Sequence, residues 1–373
     1  MPRRGDNIYK RKDGRWEGRF IKGRQNGCTV FGSVFGKTHK EAKDKLALAK
    51  QAWKEGVLEL NRKRTKVVTI ANAWLKESEA FLKESTIAKY RDYLHSYICP
   101  RFGSMDIADI DDAMLSSFCI KLLDRGGAKR QGLSTKTVTE IFRIMKQLRK
   151  FAIIRKITVG YKVECLGFKQ KTKPLRVFSL SEREKLHAYL DDSENRAHLG
   201  ILLCLCTGLR LGELCALTWD DISLDEKKLY VRRTLQRIHN YTGNGGKTKI
   251  VVTSPKSESS VRAIPLPDKL CSALALTWQP GAFFLTGDTE KFLEPRTMEN
   301  HFKAVLETVG IIDANFHSLR HTFATQCIEA NFDVKSLSEL LGHSDVSTTM
   351  NRYVHPTMEL KRQNMEKLLS KSL

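Results

Sequence analysis

From Ile8 to Phe35 apolar and polar residues alternate at roughly two-residue spacing, in short runs broken by the turn pairs Asp13-Gly14 and Asn26-Gly27. That rhythm predicts three short strands: Ile8 to Arg11, Arg15 to Phe20 with Trp16 and Phe20 on one face, and a third through Val30, Phe31, Val34 and Phe35. Thr38, with Glu41 three residues on, has capping-box spacing and opens a helix carrying Leu46, Ala49 and Trp53 on one face.

Past the basic linker Arg62-Lys63-Arg64 the period lengthens to that of a helix. Trp74, Leu75, Phe81 and Leu82 are assigned to a first helix, and Ser85 is expected to cap a second with Ile87, Tyr90, Leu94 and Ile98. Asp111 or Asp112 starts a third through Met114 and Phe118. Ser134 caps a fourth whose apolar face is Val138, Ile141, Met145 and Leu148 and whose other side is basic, with Lys136, Arg143, Lys146, Arg149 and Lys150. After the Pro-stopped segment Lys169 to Pro174, Ser179 and Glu182 cap a further helical run to Leu217. Strand patterns follow at Lys228 to Arg233, Ile250 to Thr253 and Ser260 to Leu266, around a glycine-rich stretch at 243 to 246. Helical spacing returns from Thr297 onward.

The expected molecule is therefore multidomain and mainly α. Residues 1–62 form a small three-stranded β-sheet plus a helix, residues 63–168 a helical module, and residues 174–373 a mixed α/β, mostly helical domain. Charge then narrows the class of partner. A formal charge of +22 calls for a polyanion, and because Lys and Arg recur in every region, nucleic acid is preferred over a membrane surface. No apolar run approaches the roughly 18 to 20 residues of a membrane span, and the start lacks the apolar region of a signal peptide, so a cytoplasmic protein is expected. The nine cysteines, scattered within apolar patterns, match neither a disulfide framework nor paired zinc knuckles and read as reduced core residues.

Nine basic residues against three acidic ones lie between Arg3 and Arg24, on a sheet small enough to enter a DNA groove, with Arg11, Arg15 and Arg19 as candidate contacts. A solvated basic hairpin would have the same composition. On the fourth helix of the second module, Lys136, Arg143 and Lys146 are candidate contacts to a phosphate backbone; any soluble helical bundle also shows a charged side.

The chemistry concentrates further on. His317 and Arg320 leave one helical face together and can grip a small anionic group. Thr207-Gly208-Leu209-Arg210-Leu211-Gly212-Glu213 ends an apolar helix with two glycines around an arginine, so Arg210 can be presented to a ligand; a surface pair with Glu213 is the ordinary alternative. Lys256 stands between two strand patterns, as many hairpin-tip lysines do. Leu341-Gly342-His343 and Tyr353 complete the series.

Taken together, Arg210 in its Thr-Gly-Leu-Arg-x-Gly-Glu context, Lys256, His317-x-x-Arg320, Leu341-Gly342-His343 and Tyr353 resemble the tyrosine recombinases, the phage-integrase family, from about residue 174 to 373. The preceding regions resemble, more loosely, the arm-type and SAM-like core-binding domains of conjugative-transposon and prophage integrases, through the opening Asn-Ile-Tyr-Lys-Arg-Lys-Asp-Gly-Arg-Trp. The resemblance implies a site-specific recombinase acting on double-stranded DNA, bacterial and associated with the nucleoid. In it Arg210, Arg320 and His343 hold the scissile phosphate, Tyr353 attacks it, His317 takes the tyrosine proton and Lys256 gives one to the leaving 5′ oxygen. Glu213, Asp345 and His321 are given supporting places. No cofactor or metal is implied. A homotetramer on DNA, joined through C-terminal helix exchange by residues Met358 to Leu369, is implied, as are an excisionase and a host DNA-bending protein as partners.

Rival readings make different demands. A type IB topoisomerase shares this chemistry but has no need of two additional DNA-binding regions. A metal-dependent transposase or nuclease would use acids such as Asp111, Asp220 and Asp221, and a zinc pair could be imagined at His317 and His321, where the intervening Arg320 repels a cation. A DNA-binding regulator without catalysis would not require all six residues.

Overall fold

A computed structural model describes residues 7–25, 28–54, 65–127, 131–162, 175–191, 195–241, 246–255, 258–354 and 362, without the side chains of 22–25, 28, 52–54 and 258. Several expectations lie outside the described residues: the Asn26-Gly27 turn, the Trp53 side chain, the linker at 62–64, the segment 169–174, most of the glycine-rich stretch, Lys256 and the C-terminal pattern Met358 to Leu369. The chain divides into two compact units, one of Met1–Leu82 with Tyr90–Gln170 and one of Lys83–Lys89 with Lys171–Leu373.

The first unit begins with an antiparallel sheet in the order β1 (Ile8–Lys10), β2 (Trp16–Gln25), β3 (Cys28–Gly36), followed by α1 (His39–Lys54). Gly14, with φ of 84°, makes the first turn. Alternation sorts β2 as predicted. Trp16 meets His39 of α1 edge-on at 4.9 Å, Phe20 is buried, and at Gly18 an added Cβ would stand 3.2 Å from Leu46 of α1. Glu17, Arg19 and Ile21 take the opposite face. Thr38 caps α1 through the Glu41 N–H at 3.2 Å, while the Glu41 carboxylate reaches back to the Lys37 N–H at 2.8 Å, one residue short of a closed capping box.

The unit's other core is helical, built from α2 (Val67–Ser78), the end of α3 (Glu84–Tyr93) from Tyr90 on, a π turn at Leu94–Ile98, α4 (Cys99–Phe102), α5 (Asp112–Arg125) and α6 (Thr135–Ile154). Asp111 and Ser134 cap α5 and α6 as expected, accepting the Met114 and Thr137 N–H groups at 2.7 and 3.2 Å. Val138, Ile141, Met145 and Leu148 are almost wholly buried. Two assignments need correction. α2 stops at Ser78, whose hydroxyl turns back to the Trp74 carbonyl at 2.8 Å, so Phe81 and Leu82 lie beyond it and are exposed. α3 opens at Glu84, so Ser85 is inside the helix rather than its cap.

In the second unit α7 (Leu180–Leu190) carries the full capping box of Ser179 and Glu182, and α8 (Arg196–Thr207) and α9 (Leu211–Cys215) follow. Strands β4 (Ile222–Ser223), β5 (Lys228–Val231) and β8 (Arg262–Pro265) form one antiparallel sheet, while β6 (Thr234–His239) and β7 (Thr248–Thr253) form a separate hairpin. The run Lys228 to Arg233 thus ends two residues early, and β6 is a further strand. Because β7 pairs with β6 and β8 with β5, the strand patterns on either side of position 256 belong to separate sheets. Helices α10 (Asp268–Ala275), α11 (Pro295–Thr308), α12 (His317–Glu329), α13 (Val334–Leu341) and α14 (Val346–Tyr353) close the unit. Its main core gathers Leu203, Trp219, Leu229, Phe284, Phe302 and Leu319, and a smaller cluster joins Ala324, Cys327, Leu337, Leu341 and Tyr353 from α12, α13 and α14. Among the described residues no helix is long and apolar enough to cross a membrane.

Candidate active site

Two left-handed glycines shape the site. Gly208 ends α8 with φ of 66° and Gly342 ends α13 with φ of 64°. A Cβ on Gly208 would fall 2.5 Å from the Phe323 ring, so only glycine lets the turn press against α12. These turns free backbone carbonyls, and the carbonyl oxygens of the α13 terminus bind three arginines in succession. Leu340 accepts from Arg262 Nε at 2.6 Å, Leu341 from Arg320 Nη2 at 2.6 Å and Gly342 from Arg210 Nη2 at 3.2 Å. Arg320 also donates to the Gly208 carbonyl at 2.7 Å and is fully buried. The partial negative charge of a helix C-terminus suits cations, which is why an arginine cluster is tolerated there.

Glu213 balances part of that charge. Its buried carboxylate accepts from Arg210 Nη1 at 2.6 Å, the Arg210 N–H at 3.0 Å and Arg262 at 2.9 and 3.2 Å. Burial pushes its pKa up, but the hydrogen bond and charge of Arg262 and the charge of Arg210 outweigh this and hold it at about 2. Burial, then Arg210 and Arg262, push the Arg320 guanidinium down to about 9, leaving it cationic at neutral pH. Three arginines thus face one carboxylate, an excess of positive charge suited to an anion.

A cleft of about 420 Å³ opens above this corner, lined among others by Arg210, Gln236, Pro255, Ser260 and His343. Arg210 is about a third exposed and can reach a ligand there. Lys256 follows Pro255 directly in sequence. His343 Nδ1 lies 2.8 Å from the hydroxyl of Thr349 on α14.

Tyr353 ends α14, whose N-terminus Asp345 caps through the Ser347 N–H at 2.8 Å. Its hydroxyl lies 2.8 Å from His321 Nδ1, and the tyrosine is 7% exposed. Burial raises its pKa, while Arg320 and Arg352 pull the other way. His321 and His343 are pushed down to about 4 by desolvation and then by nearby arginines, and His317 likewise by desolvation, His321 and Arg320. All three imidazoles are neutral at pH 7. As the Nε2–H tautomer, neutral His321 accepts the tyrosine O–H at Nδ1. The sequence pattern points to His317 at that hydroxyl; here His317 instead packs its ring edge-on against His321, centroids 4.5 Å apart, with the rest of the residue open to solvent.

The structure thus brings Arg210, Arg320 and His343 to one corner, and His317, His321 and Tyr353 to its flank. Arg262, one helical terminus away from His343, was missed; an arginine in a four-residue strand carries no signal of its role until its partners are known. The acids of the metal-dependent alternative have structural partners: Asp111 caps α5, Asp220 accepts the Gly281 N–H at 2.9 Å, and Asp221 accepts from Thr218 and Arg233. Among the described residues no three His, Cys, Asp or Glu side chains are grouped to hold a metal ion.

The candidate DNA contacts lie on exposed faces. Arg19 and Arg11 both donate to the buried Glu17 carboxylate at 2.8 Å; the Arg19 bond foremost, with those of Ser33 and Arg11, holds its pKa at about 2 against burial, and Arg15 donates to Asp13. Arg11 and Arg15 also cover Phe35, and Arg19 covers Tyr9. On α6 Lys136, Arg143 and Lys146 are exposed, Arg143 paired with Glu140, whereas Arg149 is tied to the Tyr161 carbonyl at 2.9 Å.

Comparison with known proteins agrees with this site. Residues 176–359 match the Phage integrase family, and residues 67–123 match its N-terminal SAM-like domain. A tyrosine recombinase XerC-like protein of Caldanaerobacter subterraneus is 27% identical over 92% of this chain and 93% of its own. Among solved structures, the Tn1549 transposon integrase in complex with transposon right end DNA shares the fold at a TM-score of 0.65, with 22% identity over 82% of this chain and 100% of that one. The lambda integrase, solved as a tetramer bound to a Holliday junction, shares it at 0.56, with 18% identity over 96% of this chain and 99% of that one. With the arginine corner, the histidines and Tyr353 in the order and region that this match spans, the chain belongs to the phage integrase family, the tyrosine recombinases, enzymes that cleave and rejoin DNA at specific sites.

Proposed function

We propose that Tyr353 attacks a scissile phosphodiester held by Arg210, Arg320 and His343, in the service of integration and excision of a mobile element. The observation that carries this reading is the run of three arginines on successive carbonyls at 340–342, directly before His343 and under an open cleft. A tyrosine of ordinary pKa near 10 is about one part in a thousand ionised at pH 7, a deficit of roughly 4 kcal/mol. The charges of Arg320 and Arg352 offset part of that, while His321 is within reach to take the proton as it leaves and His317 stands behind His321 on the same helix. As the P–O5′ bond breaks and the phosphotyrosyl bond forms, Lys256 protonates the leaving oxygen. Fixed donors such as Arg210 and His343 contribute on the order of 3 kcal/mol each where charge develops. Because Tyr353 is nearly buried against His321, DNA entry has to open that contact.

The proposal extends to organisation. Residues 1–62 bind arm DNA through the sheet face of Arg11, Arg15 and Arg19; residues 63–168 bind the core site through α6; residues 174–373 cut and rejoin. Strand exchange between two duplexes uses four copies, joined through their C-terminal segments, at the bacterial nucleoid, with an excisionase and a DNA-bending protein setting direction.

A suicide substrate carrying the element's end sequence tests the reading. The wild-type chain should form a covalent adduct in the presence of EDTA, and Tyr353→Phe should bind DNA with no adduct. An adduct that survives in Tyr353→Phe, or cleavage that EDTA abolishes, would sink it; plasmid relaxation without site preference would favour a topoisomerase.

A further inference from the structure

Thr349 contributes nothing to the cleft surface and is fully buried, yet its hydroxyl has a fixed destination. Other threonines within helices here, Thr207 and Thr322 among them, donate to the carbonyl four residues back at 2.5 and 2.8 Å. Thr349 does not. Among the described residues the hydroxyl's only hydrogen-bond partner is His343 Nδ1 at 2.8 Å. A hydroxyl has one hydrogen, and a buried O–H that donates to nothing carries a desolvation cost. If Nδ1 bore the imidazole hydrogen, Thr349 could only accept from it and its own hydrogen would be stranded. If Nδ1 is bare, the hydroxyl donates and both groups are satisfied.

We infer that Thr349 is a positioning residue that fixes His343 as the Nε2–H tautomer, leaving Nε2–H as a hydrogen-bond donor for a non-bridging oxygen of the scissile phosphate. Two neighbouring facts fit. His343 lines the cleft, and its backbone N–H is already engaged by the Ser338 carbonyl at 3.0 Å, so the residue is held at its main chain as well as at Nδ1. A neutral imidazole can serve as donor or acceptor, and only the donor form attracts a phosphate oxygen; the Thr349 bond selects that form before DNA arrives. The coupling also ties the donor to α14, the helix that carries Tyr353. The inference rests on the proposed role of His343 at the phosphate.

The test uses full-length protein labelled with ¹⁵N at histidine, with the His343 signals identified by their loss in His343→Gln. At pH 7 two-bond proton–nitrogen correlations should report Nε2–H for His343. Thr349→Val keeps the side-chain shape without the hydroxyl and should release the selection, so that Nδ1–H becomes populated beside Nε2–H, and Thr349→Ser should restore the single form. Cleavage of the suicide substrate should slow about 10- to 100-fold in Thr349→Val, the usual effect of losing such a support, with DNA affinity and melting temperature close to wild type, and should recover in Thr349→Ser. An Nδ1–H ring in the wild-type protein, or a Thr349→Val variant that cleaves at the wild-type rate, overturns the inference. Wild-type cleavage by His343→Gln would instead overturn the phosphate role of His343, which the tautomer measurement on free protein does not depend on.

Discussion

Tyr353 is held between opposed influences: burial raises the pKa of its hydroxyl, while the neighbouring guanidiniums favour loss of the proton, for which His321 Nδ1, 2.8 Å away, is the acceptor in reach. His321→Gln should therefore slow covalent adduct formation on the order of 100-fold, the scale of a lost proton acceptor, measured in single-turnover cleavage; a smaller loss than in His317→Gln would return that role to His317. The sequence displayed both histidines on one turn but could not choose between them. Residues i and i+4 share a helix face, and which one meets the tyrosine depends on where α14 lies against α12, a tertiary fact. The same histidines link pH to stability. His321 is 8% exposed with its pKa lowered from 6.5 to about 4, so the unfolded chain binds a proton in that interval that the folded chain refuses. Its contribution is complete above pH 6.5 and declines as pH falls toward 4, by at most about 2 kcal/mol at pH 5. Denaturant melts at pH 7.5 and 5 should show a drop to which His317 and His343, lowered in the same way, also contribute, and His321→Gln should make it smaller.

Whole elements were legible wherever a local signal sufficed. Asp111, Ser134 and Ser179 each cap the helix their spacing predicted, because capping is decided within four residues. Strand β6 was missed because its burial runs Leu235 in, Gln236 and Arg237 out, Ile238 in, a broken alternation that only pairing with β7 enforces. Phe81 and Leu82 misled because large apolar residues extend a helical pattern even where the backbone has already turned out. The two glycine turns show how much a short element can govern. Gly208→Ala would force an alanine to a positive φ and its Cβ into Phe323, displacing the carbonyl that anchors Arg320. A loss of about 1 to 3 kcal/mol in urea melts is expected, with cleavage falling further than stability alone explains. Asp345→Ala removes the cap of an eight-residue helix that has little intrinsic stability; a loss near 1 kcal/mol is expected.

At the scale of the whole chain, charge separates the work of its regions. Residues 1–62 hold 16 Lys and Arg against 7 Asp and Glu, a large share of the net +22, yet none of the residues at the arginine corner belongs to them. Binding driven by phosphate neutralisation weakens with salt, the slope of log affinity against log salt being about −0.9 per phosphate contacted on duplex DNA. Deletion of residues 1–62 should thus leave core-site binding, its salt slope and adduct formation near the full-length values, while abolishing binding to a second, separate site. The full-length chain on DNA carrying both sites should show a steeper slope than the truncated one, in proportion to the phosphates that the N-terminal region neutralises. Arg11 and Arg19 sharpen the expectation, since both are already paired with Glu17. If they reach phosphates by exchanging that partner, Glu17→Gln should free them and tighten arm binding; if the Glu17 pairs instead hold the sheet face in shape, the same variant should weaken it. A truncated chain that no longer forms the adduct on core DNA would show that the N-terminal region serves the reaction itself rather than the choice of a second site.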